Sequence, residues 1–352
     1  MDDRAHAFLR RLLDAPGPSG YERAPARVWR EDAGTFADQV YGDVLGNSFA
    51  RLARDGAPKV IIEGHIDEIG LLVTHIDEEG YLWFDQIGGW DDAVFVGQRV
   101  RIAGANGDVL GVVGRKAAHL IRKEDGDKSV KTRDLWIDVG AIDRADARAR
   151  VAVGDAGVID AGFLKLTDDL CVSRSMDNRV GAFVALEAAR LLATERPTVD
   201  VYAVAAVQEE VSFAGAYTST FQIQPAVAIA IDVTHATDYP SADKKSDGEV
   251  KLGGGPVLSR GASLNPIVFD GLRAAGQRIG LDCPVQGAAR SSGTDADAMI
   301  RSGPGTATGL VSIPNRYMHS PNEVVSLTDL NNAAKLIAEF VRTINDESDF
   351  KP

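Results

Sequence analysis

Histidine and carboxylate side chains follow four separate strand-like segments of the sequence. The segments are short apolar runs at residues 58–63, 199–207, 226–231 and 306–313. The residues that follow them are His65 and Asp67, Glu209 and Glu210, Asp232, and His319. In an open α/β sheet, ligands bind in the crevice outside the carboxyl ends of the strands. We therefore expect these side chains to meet at one edge of a sheet.

A set of imidazoles and carboxylates is typical of a hydrolytic site for Zn²⁺ or Co²⁺. Two metal ions in such a site lie about 3.5–4 Å apart. They need a carboxylate between them, because each of its two oxygens can bind one ion. Asp177, in the segment SMDNR at residues 175–179, can supply a further carboxylate from the side of the following helix. The ligand types therefore predict a site for two divalent metal ions.

The spacing within two of these segments predicts separate roles for neighbouring residues. A metal-bound imidazole usually donates its other N–H to a carboxylate, which fixes the orientation of the ring. Asp67, two residues after His65, is placed for that task. Adjacent Glu209 and Glu210 can divide two roles, one binding metal and the other taking a proton from water.

Each residue also has a plain structural interpretation. Asp177 alone would most often be the N-cap of a helix. Glu209 and Glu210 alone would usually form a solvated turn. His235, three residues after Asp232, is equally compatible with a supporting role and with a surface loop. The joint pattern favours the metal-site hypothesis.

The surrounding sequence predicts an α/β protein. Apolar residues at helical spacing predict helices at residues 5–14, 177–193, 265–279 and 328–344, which alternate with the buried strands. Between residues 66 and 160 short strand-like pieces alternate with Gly, Asp and Asn turns, a texture typical of a small β-rich domain. The charged stretch at 122–133 predicts an exposed loop. The simplest architecture is one α/β domain from both ends of the chain, interrupted by a β-rich insertion.

Composition excludes several classes of protein. The chain has 352 residues, with 38 Lys and Arg against 51 Asp and Glu, a net charge of −13. Such a surface repels phosphate backbones and anionic lipid headgroups, so we expect neither nucleic acid nor a membrane as a partner. We find no signal peptide or membrane span and expect a cytoplasmic protein. Two cysteines cannot form a disulfide framework.

Six segments resemble the M42 family of dinuclear metallo-aminopeptidases, which is related to the tetrahedral TET aminopeptidases and often labelled glucanase or cellulase M. They occur in family order and span nearly the whole chain. The segments are GHIDEIG at 64–70, SMDNRVG at 175–181, VQEEV at 207–211, IDVTH at 231–235, SGTDA at 292–296 and IPNRYMHSP at 313–321.

The resemblance implies a role for each matching residue. Asp177 would bridge two Zn or Co ions, with His65 and Asp232 completing one site and Glu210 and His319 the other. Glu209 would be the general base, and Asp67 would orient His65. The family usually carries Gly after the Glu-Glu-Val motif, whereas this chain has Ser212 followed by Phe213.

The resemblance also implies an architecture and an assembly. The fold would be a mixed α/β sheet with helices on both faces. Residues 1–66 and 163–352 would form the catalytic metallopeptidase domain. Residues 67–162 would form the β-rich dimerisation domain, and the dimers would assemble further into a dodecamer in many members. The function implied is removal of N-terminal residues from peptides.

Other functions are compatible with parts of the pattern. An N-acyl amino-acid deacylase or carboxypeptidase with the same dinuclear site would need Arg or Lys to bind a substrate carboxylate, and Arg290 or Arg316 could serve. A glucanase needs two free carboxylates flanking the sugar bond, and here the metal site takes them. An inactive scaffold would be expected to lack a ligand or the base, and this chain has all of them.

Overall fold

Ten α-helices and seventeen strands occur in the part of the chain described by the computed structural model, residues 1–120 and 129–352. Of the predicted exposed loop at 122–133, residues 122–128 lie outside that part. The helices are α1 (Asp3–Asp14), α2 (Arg23–Ala33), α3 (Arg144–Arg150), α4 (Met176–Thr194), α5 (Glu209–Ser212), α6 (Ala214–Ile223), α7 (Lys244–Asp247), α8 (Pro266–Arg278), α9 (Ala296–Met299) and α10 (Leu327–Arg342). In the described residues, no helix has the length and apolar character needed to cross a membrane.

A mixed sheet of eight strands forms the centre of the larger part of the fold. Its strands are β1 (Gln39–Gly42), β2 (Ser48–Leu52), β3 (Lys59–His65), β12 (Asp200–Ala206), β13 (Val227–His235), β14 (Val257–Gly261), β15 (Val285–Ala288) and β16 (Ala307–Asn315). The order across the sheet is β1-β2-β12-β3-β13-β16-β14-β15. The four strands β12, β3, β13 and β16 are parallel to one another. Their carboxyl ends therefore lie along one edge.

Helices cover both faces of this sheet because successive side chains of a strand point to opposite faces. In β3, Val60 and Ile62 pack into the core shared with α1, α4, α8 and α10. Ile61, between them, packs into a second core with residues of α6 and α9. All three side chains are fully buried, which explains the uninterrupted apolar run in the sequence.

A closed antiparallel barrel interrupts this arrangement. Its strands are β4 (Gly70–Ile76), β5 (Leu82–Ile87), β6 (Arg99–Gly104), β7 (Gly107–Gly114), β8 (Trp136–Asp138) and β9 (Ala156–Ile159). The barrel has a separate hydrophobic core that includes Leu71, Phe84 and Ile137. A third sheet joins β10 (Leu164–Lys165), β11 (Leu170–Ser173) and β17 (Glu323–Ser326). The predicted fold class, a mixed-sheet α/β fold interrupted by a β-rich insertion, is confirmed.

Strand β3 and helix α4 approach each other closely at two glycines. A Cβ added to Gly64 would lie 2.3 Å from the carbonyl carbon of Gly181. No side chain fits in that gap, so the backbones themselves are in contact. This contact holds the end of β3, which carries His65, against the beginning of α4, which carries Asp177.

Candidate metal centre

The structure brings all seven residues of the predicted site to the carboxyl edge of the central sheet. His65 is the last residue of β3, and Asp232 lies near the end of β13. Glu209 and Glu210 begin the short helix α5, which two residues separate from the end of β12. The seven residues are His65, Asp67, Asp177, Glu209, Glu210, Asp232 and His319, and the side chain of His319, at 36%, is the most exposed of them.

Asp177 stands between the two histidines. Its Oδ1 lies 3.2 Å from Nε2 of His65, and its Oδ2 lies 3.4 Å from Nε2 of His319. Nε2 of His65 also lies 3.7 Å from Oε2 of Glu209 and 3.9 Å from Oδ1 of Asp232. Nε2 of His319 lies 3.4 Å from Oε2 of Glu210. The two oxygens of one carboxylate thus face two separate groups of potential ligands.

The donor atoms fit divalent metal ions. His65, Asp177 and Glu210 offer ligand atoms that lie within 4.8 Å of one another, and so do His65, Glu209 and Asp232. Oε1 of Glu210 is buried and has no hydrogen-bond partner among the residues that the structure describes. A buried carboxylate oxygen without a partner is costly, and a metal ion would remove that cost. Imidazole and carboxylate ligands suit Zn²⁺ and Co²⁺.

The pKa values of the site reflect an excess of negative charge. Burial raises the pKa of Glu209 to about 9 and that of Asp232 to about 8, and neighbouring carboxylates contribute in the same direction. Burial alone would lower the pKa of His319, but Asp177 and Glu210 raise it to about 11. Burial would raise the pKa of Asp177, yet the two histidines lower it below its usual range. Cations bound among these carboxylates would neutralise the excess charge.

Asp67 contacts both His65 and the glutamate pair. Nδ1 of His65 lies 3.3 Å from Oδ1 of Asp67, without the alignment of a hydrogen bond. The backbone N–H groups of Glu209 and Glu210 donate to the two oxygens of Asp67, each at 3.1 Å. The carboxylate is fully buried. It therefore fixes the start of α5 relative to the end of β3.

Glu323, in β17, is a site residue that the sequence analysis missed. Its side chain is buried, and its Oε2 accepts a hydrogen bond from the backbone N–H of Asp177 at 2.9 Å. Its Oε1 accepts one from the backbone N–H of His319, also at 2.9 Å. One carboxylate thus joins the first turn of α4 to the loop of His319, both of which carry potential ligands. The only sequence signal was a glutamate four residues after His319, directly before an apolar pair.

Asp177 does not act as the N-cap of α4. It lies inside the helix at a kink, with non-helical backbone angles, and the peptide bond to Asn178 is cis. The capping side chain is that of Asn178, whose Oδ1 accepts a hydrogen bond from the backbone N–H of Gly181 at 3.1 Å. The Asp177 side chain is therefore left to face the histidines.

A second pair of buried carboxyl groups lies beneath the site. Asp295 belongs to the SGTDA segment and neighbours Glu63, and both of its side-chain oxygens are buried without a hydrogen-bond partner among the described residues. Burial raises the pKa of Glu63 to about 8, and burial together with Glu63 raises that of Asp295 well above its usual value. Ser219 donates to Glu63 at 2.8 Å. The sequence analysis assigned no role to either residue.

A cavity of about 430 Å³ opens onto the site. Its lining residues are Gly89, Asp177, Glu209, Glu210, Phe213, Asp232, Val233, Thr234, His235, Ser292, Gly293, Thr294, Met318 and His319. Gly89 comes from the barrel, and a Cβ there would lie 3.4 Å from Nδ1 of His319. The barrel thus contributes to the mouth of the site.

Neither arginine considered as a carboxylate-binding group lines this cavity. Arg316 donates from Nε and Nη2 to the two oxygens of Asp238, each at 2.8 Å. Arg290 is exposed. The described residues therefore give no support to a deacylase or carboxypeptidase that binds a free substrate carboxylate through either side chain.

Comparisons with known proteins found a family and relatives that this chain resembles. A sequence model of the M42 glutamyl aminopeptidase family matches residues 46–336. The chain is 34% identical to a lysyl aminopeptidase of Pyrococcus furiosus over 98% of this chain and 99% of that protein.

Solved structures show the same likeness. A TET aminopeptidase from a marine sediment archaeon of the Thaumarchaeota is 30% identical and superposes with a TM-score of 0.93 over 98% of each chain. The TET1 peptidase of Pyrococcus horikoshii, described as assembling into a tetrahedron or a large octahedral shell, is 30% identical with a TM-score of 0.86, covering 97% of this chain and 100% of that one.

Proposed function

The chain belongs to the M42 peptidase family and is a peptide hydrolase, and from this we propose that it removes N-terminal residues from peptides with the help of two divalent metal ions. The observation that carries the proposal is the position of Asp177 between His65 and His319, with one oxygen towards each. A single carboxylate in that position suits a bridge between two ions.

Five residues would hold the ions. Asp177 would bridge them, His65 and Asp232 would complete one site, and Glu210 and His319 would complete the other. Zn²⁺ or Co²⁺ bound there would supply Lewis acidity, which polarises the substrate carbonyl and makes water a better nucleophile at neutral pH.

Glu209 would transfer a proton from the attacking water to the leaving nitrogen. Its Oε2 is 3.7 Å from Nε2 of His65, at the floor of the cavity. It would accept a proton from the attacking water as the water oxygen bonds to the carbonyl carbon. It would then donate that proton to the leaving nitrogen as the carbon–nitrogen bond breaks. Asp67 supports this role, because its hydrogen bonds to the backbone of Glu209 and Glu210 orient both glutamates.

The same carboxylates explain why the enzyme would act at the N-terminus of its peptide substrate. A free substrate N-terminus is cationic or can bind metal, and it can be held by the ions or by carboxylates near them. An acylated N-terminus lacks both properties. This difference favours an aminopeptidase over an enzyme that cuts within chains.

We propose that residues 1–66 and 163–352 form the catalytic domain and that the insertion at 67–162 forms a dimer. Two apolar side chains on β7 support an interface, since Leu110 is 61% exposed and Val112 is 49% exposed. The shells described for the Pyrococcus horikoshii TET1 peptidase make a larger assembly of dimers the natural extension. The dimer proposal is tested by light scattering on the wild type and on a Leu110→Asp variant. A monomeric variant supports the dimer through the insertion, and an unchanged oligomer contradicts it.

The test of the catalytic proposal compares two glutamine variants. Glu209→Gln is expected to keep both metal ions and to lose about 10³-fold in kcat, since general bases contribute on that scale. Glu210→Gln is expected to lose metal as well. Metal content is measured by elemental analysis, and activity with amino-acid p-nitroanilides. Wild-type rates in a fully loaded Glu209→Gln enzyme would show that another group takes the proton.

A further inference from the structure

One wall of the cavity is apolar. Phe213, Val233 and Met318 supply apolar lining, and residues 292–294 contribute hydroxyl groups to the same lining. Val233 is buried, whereas Phe213 and Met318 are partly exposed, as side chains at the surface of an open cavity must be. A cavity of about 430 Å³ with such a wall gains free energy by removing apolar substrate surface from water.

Phe213 occupies an unusual backbone conformation. It joins α5 to α6 with a φ of 55° and a ψ of 21°, in the left-handed region that bulky side chains rarely adopt. Strained residues of this kind cluster at ligand clamps and active sites. The position directly follows Ser212, at the junction between α5 and α6.

The polar side of the cavity is already hydrogen-bonded. The hydroxyls of Ser292 and Thr294 lie 2.8 Å apart and are bonded to each other. Thr234 donates from Oγ1 to Oε1 of Gln286 at 2.8 Å. Because these groups are satisfied within the protein, they do not require a polar partner from the substrate.

Charged substrate side chains find no fixed partner among the described lining residues. The described lining residues include no Lys or Arg. Arg316, three residues before His319, donates two hydrogen bonds to Asp238. The four lining carboxylates, Asp177, Glu209, Glu210 and Asp232, all belong to the proposed catalytic set. His235, at the rim, is exposed to water. Burying an unpaired charge is costly, so acidic and basic side chains are both disfavoured.

We propose that this cavity binds the side chain of the substrate's first residue and selects a neutral, apolar one, with Phe213 as the residue that determines this preference. The inference rests on the proposed aminopeptidase function. It separates this chain from relatives whose names specify lysyl or glutamyl substrates.

The first measurement is kcat/KM of the metal-loaded wild type for leucyl, methionyl, alanyl, lysyl and glutamyl p-nitroanilides. We expect the leucyl and methionyl substrates to exceed the lysyl and glutamyl ones by about 100-fold, a ratio that an unmatched group in a pocket can produce. A lysyl or glutamyl substrate with the highest value overturns the inference and leaves the aminopeptidase function intact. Absence of hydrolysis of all five substrates by the loaded enzyme overturns the function itself.

The second measurement tests Phe213. The Phe213→Ala variant is expected to lose about 10-fold in kcat/KM for the leucyl substrate and less than about 3-fold for the alanyl one, because only the larger side chain reaches the missing ring. Phe221→Ala is the matched control, since Phe221 is 56% exposed on α6 and does not line the cavity. Equal losses for both substrates in Phe213→Ala, with metal content unchanged, overturn the role of Phe213.

Discussion

The carboxylate of Asp67 accepts a hydrogen bond from the backbone N–H of Glu209 at 3.1 Å. The same carboxylate lies 3.3 Å from the ring of His65. The residue that we propose to orient a metal ligand therefore also holds the backbone of the proposed general base. The two halves of the mechanism are coupled through one buried side chain.

Replacing Asp67 by Asn should therefore lower activity through two effects. The variant loses the charge next to His65 and one of the two acceptors for the α5 backbone. We expect kcat/KM to fall about 10- to 100-fold, the usual cost of removing a group that supports a metal ligand. Kinetics and metal titration check this. Asp282→Asn, at an exposed position, should behave as the wild type; equal activity of the two variants would contradict the coupling.

Removing the Glu323 side chain should disturb the positions of Asp177 and His319. Glu323→Ala frees the backbone N–H groups of Asp177 and His319, both of which are bound by this carboxylate. We expect metal affinity to fall about 10- to 100-fold, measured by competition with a chromogenic chelator. Glu323→Gln should lose less, because it keeps one acceptor oxygen. The neighbouring Asn322→Ala, at an exposed residue, is the control, and an affinity like that of the control would rule out the role.

An alanine at Gly64 should be incompatible with the fold. Its Cβ would lie 2.3 Å from the backbone of Gly181, which cannot move without displacing α4. We expect a loss of about 3 kcal/mol or more, at the upper end of overpacking costs, and loss of metal binding. Thermal unfolding and metal analysis measure both. Gly287→Ala is the control, since a Cβ there meets nothing within 4 Å. A soluble Gly64→Ala protein with the wild-type Tm would refute the close contact.

Metal removal should lower stability as well as activity. Without cations, Glu209, Glu210 and Asp232 are crowded carboxylates in a buried site, and binding of metal to the folded state alone stabilises it by mass action. We expect the Tm to fall by several degrees after dialysis against a chelator and to recover with Zn²⁺ or Co²⁺ but not with Mg²⁺ at equal concentration. A Tm that does not respond to any of these ions would argue against the site.

Asp329 should make stability depend on pH. Burial raises its pKa from 3.8 to about 6, although the backbone N–H groups of Gly253 and Gly255 donate to it. A carboxyl whose folded pKa is raised favours folding less as pH rises, so about 3 kcal/mol is lost between pH 4 and pH 6 and the loss is constant above. Tm is measured against pH for wild type and Asp329→Asn. As the pH rises through that interval, the Tm of the wild type should fall relative to the Tm of Asp329→Asn. Parallel curves would contradict the raised pKa.

The sequence was informative where a side chain's type and its position after a strand were enough. His65, Glu209, Glu210 and Asp232 follow parallel neighbours in one sheet, so their convergence could be predicted. Glu323 could not be found in this way, because its partners are backbone N–H groups of distant loops, which leave no pattern in the residue types. The same reason hid the second contact of Asp67. Asp177 was predicted as a possible N-cap because the kink in α4 is a tertiary feature.

The barrel draws all its strands from residues 70–159, whereas the proposed ligands come from both sides of it, at His65 and at residues from Asp177 to His319. The ribosome therefore synthesises all the barrel strands before it synthesises residues 160–352. Domains generally fold as units during synthesis. The proposed metal centre can form only when translation has passed His319. A prematurely terminated chain would then keep a folded barrel but lack a complete set of ligands, and would be unable to degrade peptides in the cell that made it.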